Sequence, residues 1–293
     1  MLLTLSFFGF SNQLAIEEDS DSHFGTAQFL VADEYLSFDE IRQNNQLSWK
    51  SIKVEDTSFG FDSRHFWLKI PLINVQSSTL PWFLRSKYPL LDTIDVYLLA
   101  DEDLVQEFHT GDTLPFNQRP IKQPNFVFPL EINTDKAYSI YLHVQTTSSL
   151  QLALSLQTES NFWQGIAAES VATSAFYSIL LSMLLYNFVI FFIVRTRSYL
   201  FYVLYLASFT LFMASIHGWG YQYLWPNSPR IHELSVVFLI GPVIIFIALF
   251  SSTFLRLATI RPALNRLILS FVWIAGVYSV ATLIFPYTVM IKI

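Results

Sequence analysis

The chain has 293 residues, a formal net charge of −6 and no cysteine, which excludes a thiol nucleophile, a cysteine-ligated metal and a disulfide. The acidity is uneven: residues 1–160 hold 10 Lys+Arg against 21 Asp+Glu, whereas residues 161–293 hold 7 against 2. An N-terminal part with no basic block argues against nucleic-acid binding.

The first segment fits two readings. Leu2 to Phe10 is apolar, and Gly9-Phe10-Ser11 gives a small-x-small pattern before a polar stretch. Residues 1–16 are either a secretory signal peptide lacking its basic start or a buried N-terminal strand. Residues 17–160 are expected to form a β-domain. Ser37–Gln46 is predicted as a short helix, with Asp39 and Glu40 in its first turn. From residue 64 onward the pattern has period two. Phe66, Leu68, Ile70 and Leu72 alternate with His65, Trp67 and Lys69, and Ile94, Val96 and Leu98 with Thr93, Asp95 and Tyr97. Phe126, Phe128, Leu130 and Ile132 form a third such face, Ile140, Leu142 and Val144 a fourth, and Leu150, Leu152, Leu154 and Leu156 a fifth. Asn74 to Thr79, Asp101-Glu102-Asp103, Gly111-Asp112 and Asn133-Thr134-Asp135 mark the turns between them. No amphipathic helix intervenes, so the expected fold is an all-β, antiparallel, jelly-roll-like sandwich. Residues 161–170 form a short, stiff join, with Phe162 and Trp163 placed as interfacial aromatics.

Four apolar stretches follow, near residues 171–194, 198–216, 234–255 and 267–290, each free of Asp, Glu, Lys and Arg. About 20 such residues in a helix cross a bilayer core, so an α-helical transmembrane bundle is predicted. Arg195 and Arg197 follow the first stretch, and Arg256, Arg261 and Arg266 lie between the third and fourth. The segment Gly218 to Glu233 carries only Arg230. This asymmetry places the two arginine-rich loops in the cytoplasm and the β-domain outside. The expectation is a multi-pass protein of the inner membrane with a periplasmic N-terminal domain. Four spans would return the chain to the outside, so a cytoplasmic output module needs further spans beyond Ile293.

Candidate chemistry is sparse. No G-x-S-x-G, phosphate-binding glycine loop or H-E-x-x-H occurs, so no catalytic set, cofactor or metal is expected. Trp67, Tyr97, Tyr141 and His143 share the face opposite the apolar stripes. They form either an exposed ligand face, on which sugar rings could stack, or a second packed surface against loops or a partner subunit. Arg64, Arg85 and Arg119 are candidate partners for ligand hydroxyls or anions. Trp49 and Trp82 read as core. Glu17-Glu18-Asp19 and Asp101-Glu102-Asp103 read as solvated ends and turns. Asn187, inside the first span, is expected to hydrogen-bond a neighbouring helix, for packing or for a contact that rearranges on signalling. Tyr199, Tyr202 and Tyr205 read as packing, with Tyr199 as an interface anchor, and His217 and His232 as interfacial histidines.

Several runs carry a resemblance: "FWLKIPLIN" (Phe66–Asn74), "IDVYLL" (Ile94–Leu99), Gly111, Arg119, "FVFPLEI" (Phe126–Ile132), "YSIYLHVQT" (Tyr138–Thr146) and "LQLALSLQTESNF" (Leu150–Phe162). In the second half, "LLYNFVIFFIVRTRSYLFYVLY" (Leu184–Tyr205), Gly218, Trp225-Pro226 and "FLRLATIRPALNRL" (Phe254–Leu267) continue it. The chain resembles the bacterial seven-helix receptors with diverse intracellular signalling modules that carry the type 2 extracellular sensory domain. One departure is Lys69, where the family strand often reads Trp-x-Arg. The resemblance implies an outer jelly-roll domain for carbohydrate-like or other small ligands and seven helices, four of them here. It also implies a cytoplasmic output module, such as a histidine kinase, a diguanylate cyclase or a phosphatase, and coupling as a homodimer. Two alternatives compete with this receptor. One is a transporter or channel subunit with an outer binding domain; the other is a membrane-anchored hydrolase or carbohydrate-binding protein, for which one helix would suffice.

Overall fold

The computed structural model describes residues 24–44, 46–54, 58–72, 81–132 and 136–291. The segment 1–16, the acidic run Glu17-Glu18-Asp19 and the turns Asn74 to Thr79 and Asn133-Thr134-Asp135 lie outside the described residues.

The N-terminal half is an antiparallel β-sandwich. Its strands are β1 (Ala27–Ala32), β2 (Lys50–Ile52), β3 (Ser58–Phe61), β4 (His65–Pro71), β5 (Trp82–Ser86), β6 (Thr93–Ala100), β7 (Asp103–Thr110), β8 (Phe126–Leu130), β9 (Tyr138–Gln145), β10 (Ser149–Gln151) and β11 (Leu154–Thr158). A six-stranded sheet in the order β2-β1-β4-β9-β6-β7 faces a three-stranded sheet in the order β11-β5-β8, and β3 pairs with β10 alone. The predicted apolar stripes meet between the sheets: Phe66, Leu68 and Ile70 of β4, Ile94, Val96 and Leu98 of β6, and Ile140, Leu142 and Val144 of β9 pack on Trp82 and Leu84 of β5 and Phe126, Phe128 and Leu130 of β8.

Two strand expectations are corrected. The stripe from Leu150 to Leu156 is two strands with different partners, β10 on β3 and β11 on β5. Leu150, Leu152 and Leu156 all reach the core, so the alternation runs on while the pairing changes sheet. The period-two pattern also misses β5, because all five of its residues are buried. Trp82 and Leu84 face the core, whereas Phe83 belongs to a separate cluster with Val127 and Phe162.

Helix α1 (Phe38–Gln43) is shorter than the predicted Ser37–Gln46. A capping box starts it: Glu40 N donates to Ser37 Oγ and Ser37 N donates to Glu40 Oε2 at 2.7 Å. Asn44 turns extended and ends it.

The C-terminal half is helical: α2 (Glu159–Val194), α3 (Arg197–Ile216), α4 (Trp219–Tyr223), α5 (Pro229–Phe238), α6 (Ile240–Phe254), α7 (Leu257–Ile260), α8 (Pro262–Ile284) and α9 (Tyr287–Met290). Among the described residues four segments are long and apolar enough to cross a membrane: α2, α3, α5 with α6, and α8. The predicted join 161–170 is not a separate connector. It is the first three turns of α2, which starts directly after β11. At about 1.5 Å per residue α2 is about 54 Å long, so its upper third stands clear of a core about 30 Å thick. The third span opens at Pro229. Pro242 has no N–H for the carbonyl of Phe238, which explains the break between α5 and α6. The fourth span ends at Ile284, six residues short of the prediction, because Pro286 drives Phe285 into an extended conformation (φ −91°, ψ 152°). Gly241 allows α6 and α8 to touch: a Cβ there would stand 1.8 Å from Ser279 Oγ.

Candidate functional site

The outward row of the six-stranded sheet carries the predicted aromatic face. Trp67 lies opposite His143, and Tyr97 opposite Tyr141, in the registers of β4 with β9 and β6 with β9. Of the two readings the packed surface is the one found: Trp67 is 0 % exposed, His143 2 %, Tyr97 5 % and Tyr141 6 %. Helix α1 is the cover. Its Phe38 stacks on Tyr97 (ring centroids 4.2 Å, planes within 2°) and meets Tyr141 edge-on at 5.6 Å. Ile41, Leu36, Leu47 and Trp49 complete this second apolar cluster. Burial pushes the Tyr97 phenol above its usual range, and Asp95 adds to it. Among the described residues Trp67 Nε1 has no hydrogen-bond partner under the cover. Lys69 holds its ammonium 5.2 Å from the Tyr141 ring.

A hydrogen-bonded chain of polar side chains borders this face. His65 Nδ1 lies 3.0 Å from His143 Nε2. His143 Nδ1 lies 2.8 Å from Asp95 Oδ2, and His109 Nδ1 lies 3.0 Å from Asp95 Oδ1. The chain thus runs β4, β9, β6, β7 across the sheet. Tyr35, in the loop from β1 to α1, sets its ring edge-on to His65 at 5.7 Å and to His143 at 5.3 Å.

The three candidate arginines are not gathered at this face. Arg64 is half exposed and holds Asp62 at 2.7 Å. Arg85 points from the other sheet onto α2, where its guanidinium forks onto Glu169, with Nη1 to Oε1 at 2.9 Å and Nη2 to Oε2 at 2.5 Å. Beside this pair Phe162, fully buried, stacks on Phe83 at 4.7 Å, so Phe162 belongs to the domain junction and not to an interfacial belt.

Arg119 fills a second junction. Its guanidinium donates to the carbonyls of Gln123 and Pro124, and lies 4.2 Å from the Phe126 ring, 4.8 Å from Phe116 and 5.7 Å from Tyr221. Burial pushes its pKa down to about 10. Here the loop after Gly111 docks on the loop between α3 and α5: Phe116 N donates to Pro226 O at 2.9 Å, Tyr221 Oη to Leu114 O, and Gln222 Nε2 to Lys122 O at 3.2 Å. Gly218, at φ +76°, lets the helical loop approach, since a Cβ there would crowd Pro124 O at 3.1 Å. Asp112, fully enclosed at this junction, is held well above the ordinary carboxylate range by burial and by Asp92. His232 stacks on Tyr221 (4.4 Å, 10°) and is buried, so it is not an interfacial histidine in contact with water.

A β-sandwich thus stands on a membrane bundle through two docked junctions. The family model for the 7TMR-DISM extracellular 2 domain matches residues 26–158, and that for the 7TM diverse intracellular signalling region matches residues 169–293. The chain belongs to the 7TMR-DISM family. No curated protein matches it. It is therefore a membrane protein of a seven-helix receptor family with an extracellular sensory domain. The boundary between the two matches, residues 159–168, is the top of α2, and both the Arg85–Glu169 and the Tyr221–Leu114 contacts join the 7TMR-DISM sensory match to the membrane match.

Within the bundle of this 7TMR-DISM chain, Asn187 corrects its expectation. Its side-chain amide donates to Met183 O of its own helix at 2.8 Å rather than to a neighbouring helix. Tyr202 packs on Phe250 of α6 at 5.0 Å and beside Tyr205 at 6.3 Å. Tyr199 is partly exposed at the start of α3. His217 meets Tyr177 Oη at 3.1 Å, joining α2 to the end of α3.

Sequence reasoning missed Phe38, Asp95, Glu169 and Tyr221. A signal existed for two of them. Asp95 sits on the same alternation parity as Tyr97 inside a strand of large apolar residues, where a charge needs a partner. Glu169 is the last acid of α2, before a long uncharged stretch. Phe38 and Tyr221 give no such signal, because their importance comes from contacts distant in the chain.

Proposed function

We propose that the outer β-domain senses a small, carbohydrate-like ligand and passes the change to the helical bundle through the top of α2. The observation that carries this reading is the rigid seam: β11 runs into α2 without a linker, and the Arg85–Glu169 fork and the Phe83–Phe162 stack clamp that helix to the three-stranded sheet. A tether serving only as an anchor needs neither. Trp67, Tyr97 and Tyr141 supply the ring faces on which a sugar would stack, in the jelly-roll manner, once α1 moves aside. A ligand shifts such an equilibrium only by its differential affinity for the two states, and here the covered and uncovered face would differ in that way.

On this reading the chain is not itself an enzyme and needs no cofactor. It sits in an inner membrane with its β-domain in the periplasm, as the arginine asymmetry supports. It works as a homodimer and signals to a cytoplasmic kinase, diguanylate cyclase or phosphatase module. The test uses the full chain in lipid nanodiscs and a panel of mono- and oligosaccharides. Binding should raise the melting temperature and change the distance between spin labels on the β-domain and at the far end of α2. Absence of any glycan-dependent stabilisation would sink the ligand class. Binding with no distance change would sink the coupling.

A further inference from the structure

We propose that His65, His143, Asp95 and His109 form a proton-sensitive latch on the cover of the aromatic face: when both His65 and His143 are charged, the hydrogen bond between them is lost, Tyr35 is released and α1 loosens. The argument starts from which atoms can donate. The Asp95 carboxylate only accepts, so the nitrogens that face it, His143 Nδ1 and His109 Nδ1, carry hydrogens. His143 Nε2 then accepts, and His65 Nδ1 donates across 3.0 Å. Every contact of the chain is satisfied in this state.

One added proton is tolerated. The hydrogen bond between the rings survives it, because either ring can donate while the other accepts. A second proton is not tolerated. Both facing nitrogens would then carry hydrogens at 3.0 Å, and the two rings, nearly parallel with centroids 5.2 Å apart, would be like charges in contact. His143 is 2 % exposed and tied to Asp95, whereas His65 is partly open to water, so His65 is the ring that leaves.

The surrounding groups offer no compensation. Among the described residues, the loop before α1 brings Tyr35 onto the rings and Asp33 onto Arg64, β6 brings Asp95, which is already shared, and β7 brings His109 and Glu107. Arg64 beside His65 is turned to Asp62 and Asp33 and adds positive charge. From α1, Asp39 and Glu40 lie on the side of Tyr97 and Tyr35. Burial, with His143 adding to it, holds His65 below its ordinary value. The open form therefore binds the proton first as the pH falls below about 6.5, and acid favours opening by up to about tenfold per proton and pH unit. Tyr35 packs edge-on against both rings, and only Leu36 and Ser37 separate it from Phe38, the residue that seals the face.

The test is amide hydrogen exchange of residues 35–44 in the full chain in nanodiscs, corrected for intrinsic rates, at about pH 7.5 and about pH 5. Iodide quenching of tryptophan emission is read in parallel. The wild-type chain should lose about tenfold in protection at the lower pH and become more quenchable. His65→Asn can keep a donor near the Nδ1 position and takes no proton, so it should stay protected at both. His109→Asn leaves the His65–His143 pair intact and should still loosen. Equal wild-type protection at the two pH values overturns the latch, and so does a His65→Asn chain that loosens like the wild type. The wild-type comparison alone decides the matter if His65→Asn does not fold.

Discussion

Arg85 leaves its own sheet to grip Glu169, 84 residues later, on the helix that carries the chain into the membrane. The Arg85 side chain is 4 % exposed and that of Glu169 35 %. The two ends of this ion pair are therefore not equivalent. A guanidinium left alone would be trapped, whereas a carboxylate left alone still reaches water.

Glu169→Gln should accordingly destabilise the chain more than Arg85→Met. The first leaves a buried charge without its counter-ion and should cost about 1–3 kcal/mol, discounted from a fully buried pair for the water that reaches Glu169. Urea titration in detergent micelles, followed by tryptophan emission, measures both. A larger loss for Arg85→Met would contradict the assignment of the burial penalty to the arginine.

Phe38→Ala should uncover the aromatic face. Removing a buried phenylalanine costs about 3–5 kcal/mol in a well-packed core, and a loss near 3 kcal/mol is expected because a six-residue helix at the surface can partly collapse into the gap. Trp67 emission should shift to the red. Ser37→Ala removes only the capping box and should cost about 1 kcal/mol with the face still covered.

Asp112→Asn should stabilise the protein above the ordinary carboxylate range. The folded state holds the Asp112 proton more tightly than the unfolded state does. Its contribution is therefore fully present below the unfolded value, near 4, and declines as the pH rises toward the raised folded value. The asparagine has no such proton to lose. Melting curves of both proteins from about pH 4 to about pH 8 should diverge upward, with the variant higher at the alkaline end. Parallel curves would mean that Asp112 is not protonated in the fold.

Arg119→Lys should loosen the second junction while both halves stay folded. A lysine cannot fork onto the carbonyls of Gln123 and Pro124, and it stacks poorly among Phe116, Phe126 and Tyr221. Exchange protection should fall in residues 114–124 and 219–226 together and remain unchanged in β4, β6 and β9. Tyr221→Phe, which loses one hydrogen bond to Leu114 O, should do the same more weakly, by about 1 kcal/mol.

How much of this was legible in the chain depends on which forces act locally. Alternation located β4, β6, β8 and β9, because each has one face in the common core and register follows from that face. It failed at β5, where Phe83 and Arg85 are held by Phe162 and Glu169 on the side that should have been wet. It also failed at the break within Leu150–Leu156, where the core side never changes and only the hydrogen-bond partner does. Hydropathy found four spans. Pro286 shortened the last one, although that proline was visible in the chain. The candidate face was placed on the correct side of the sheet, yet its exposure could not be read, because six residues of α1 decide it and their contacts are with β4, β6 and β9. Arg85 and Arg119 were picked out as polar partners; their partners are a glutamate and carbonyls at the two junctions.

The continuity of β11 with α2 makes the first helix a lever. Its upper arm is bolted to the sandwich by Arg85 and Phe83, and its lower arm runs down beside α3, which it meets through Tyr177 and His217. Over a rod of about 54 Å, each degree of tilt at the top displaces the far end by about 0.9 Å. A rocking of the sandwich by five or six degrees would thus carry the bottom of the helix through roughly one helical pitch, a stroke that a rise of 5.4 Å per turn makes large enough to change which side chains meet there.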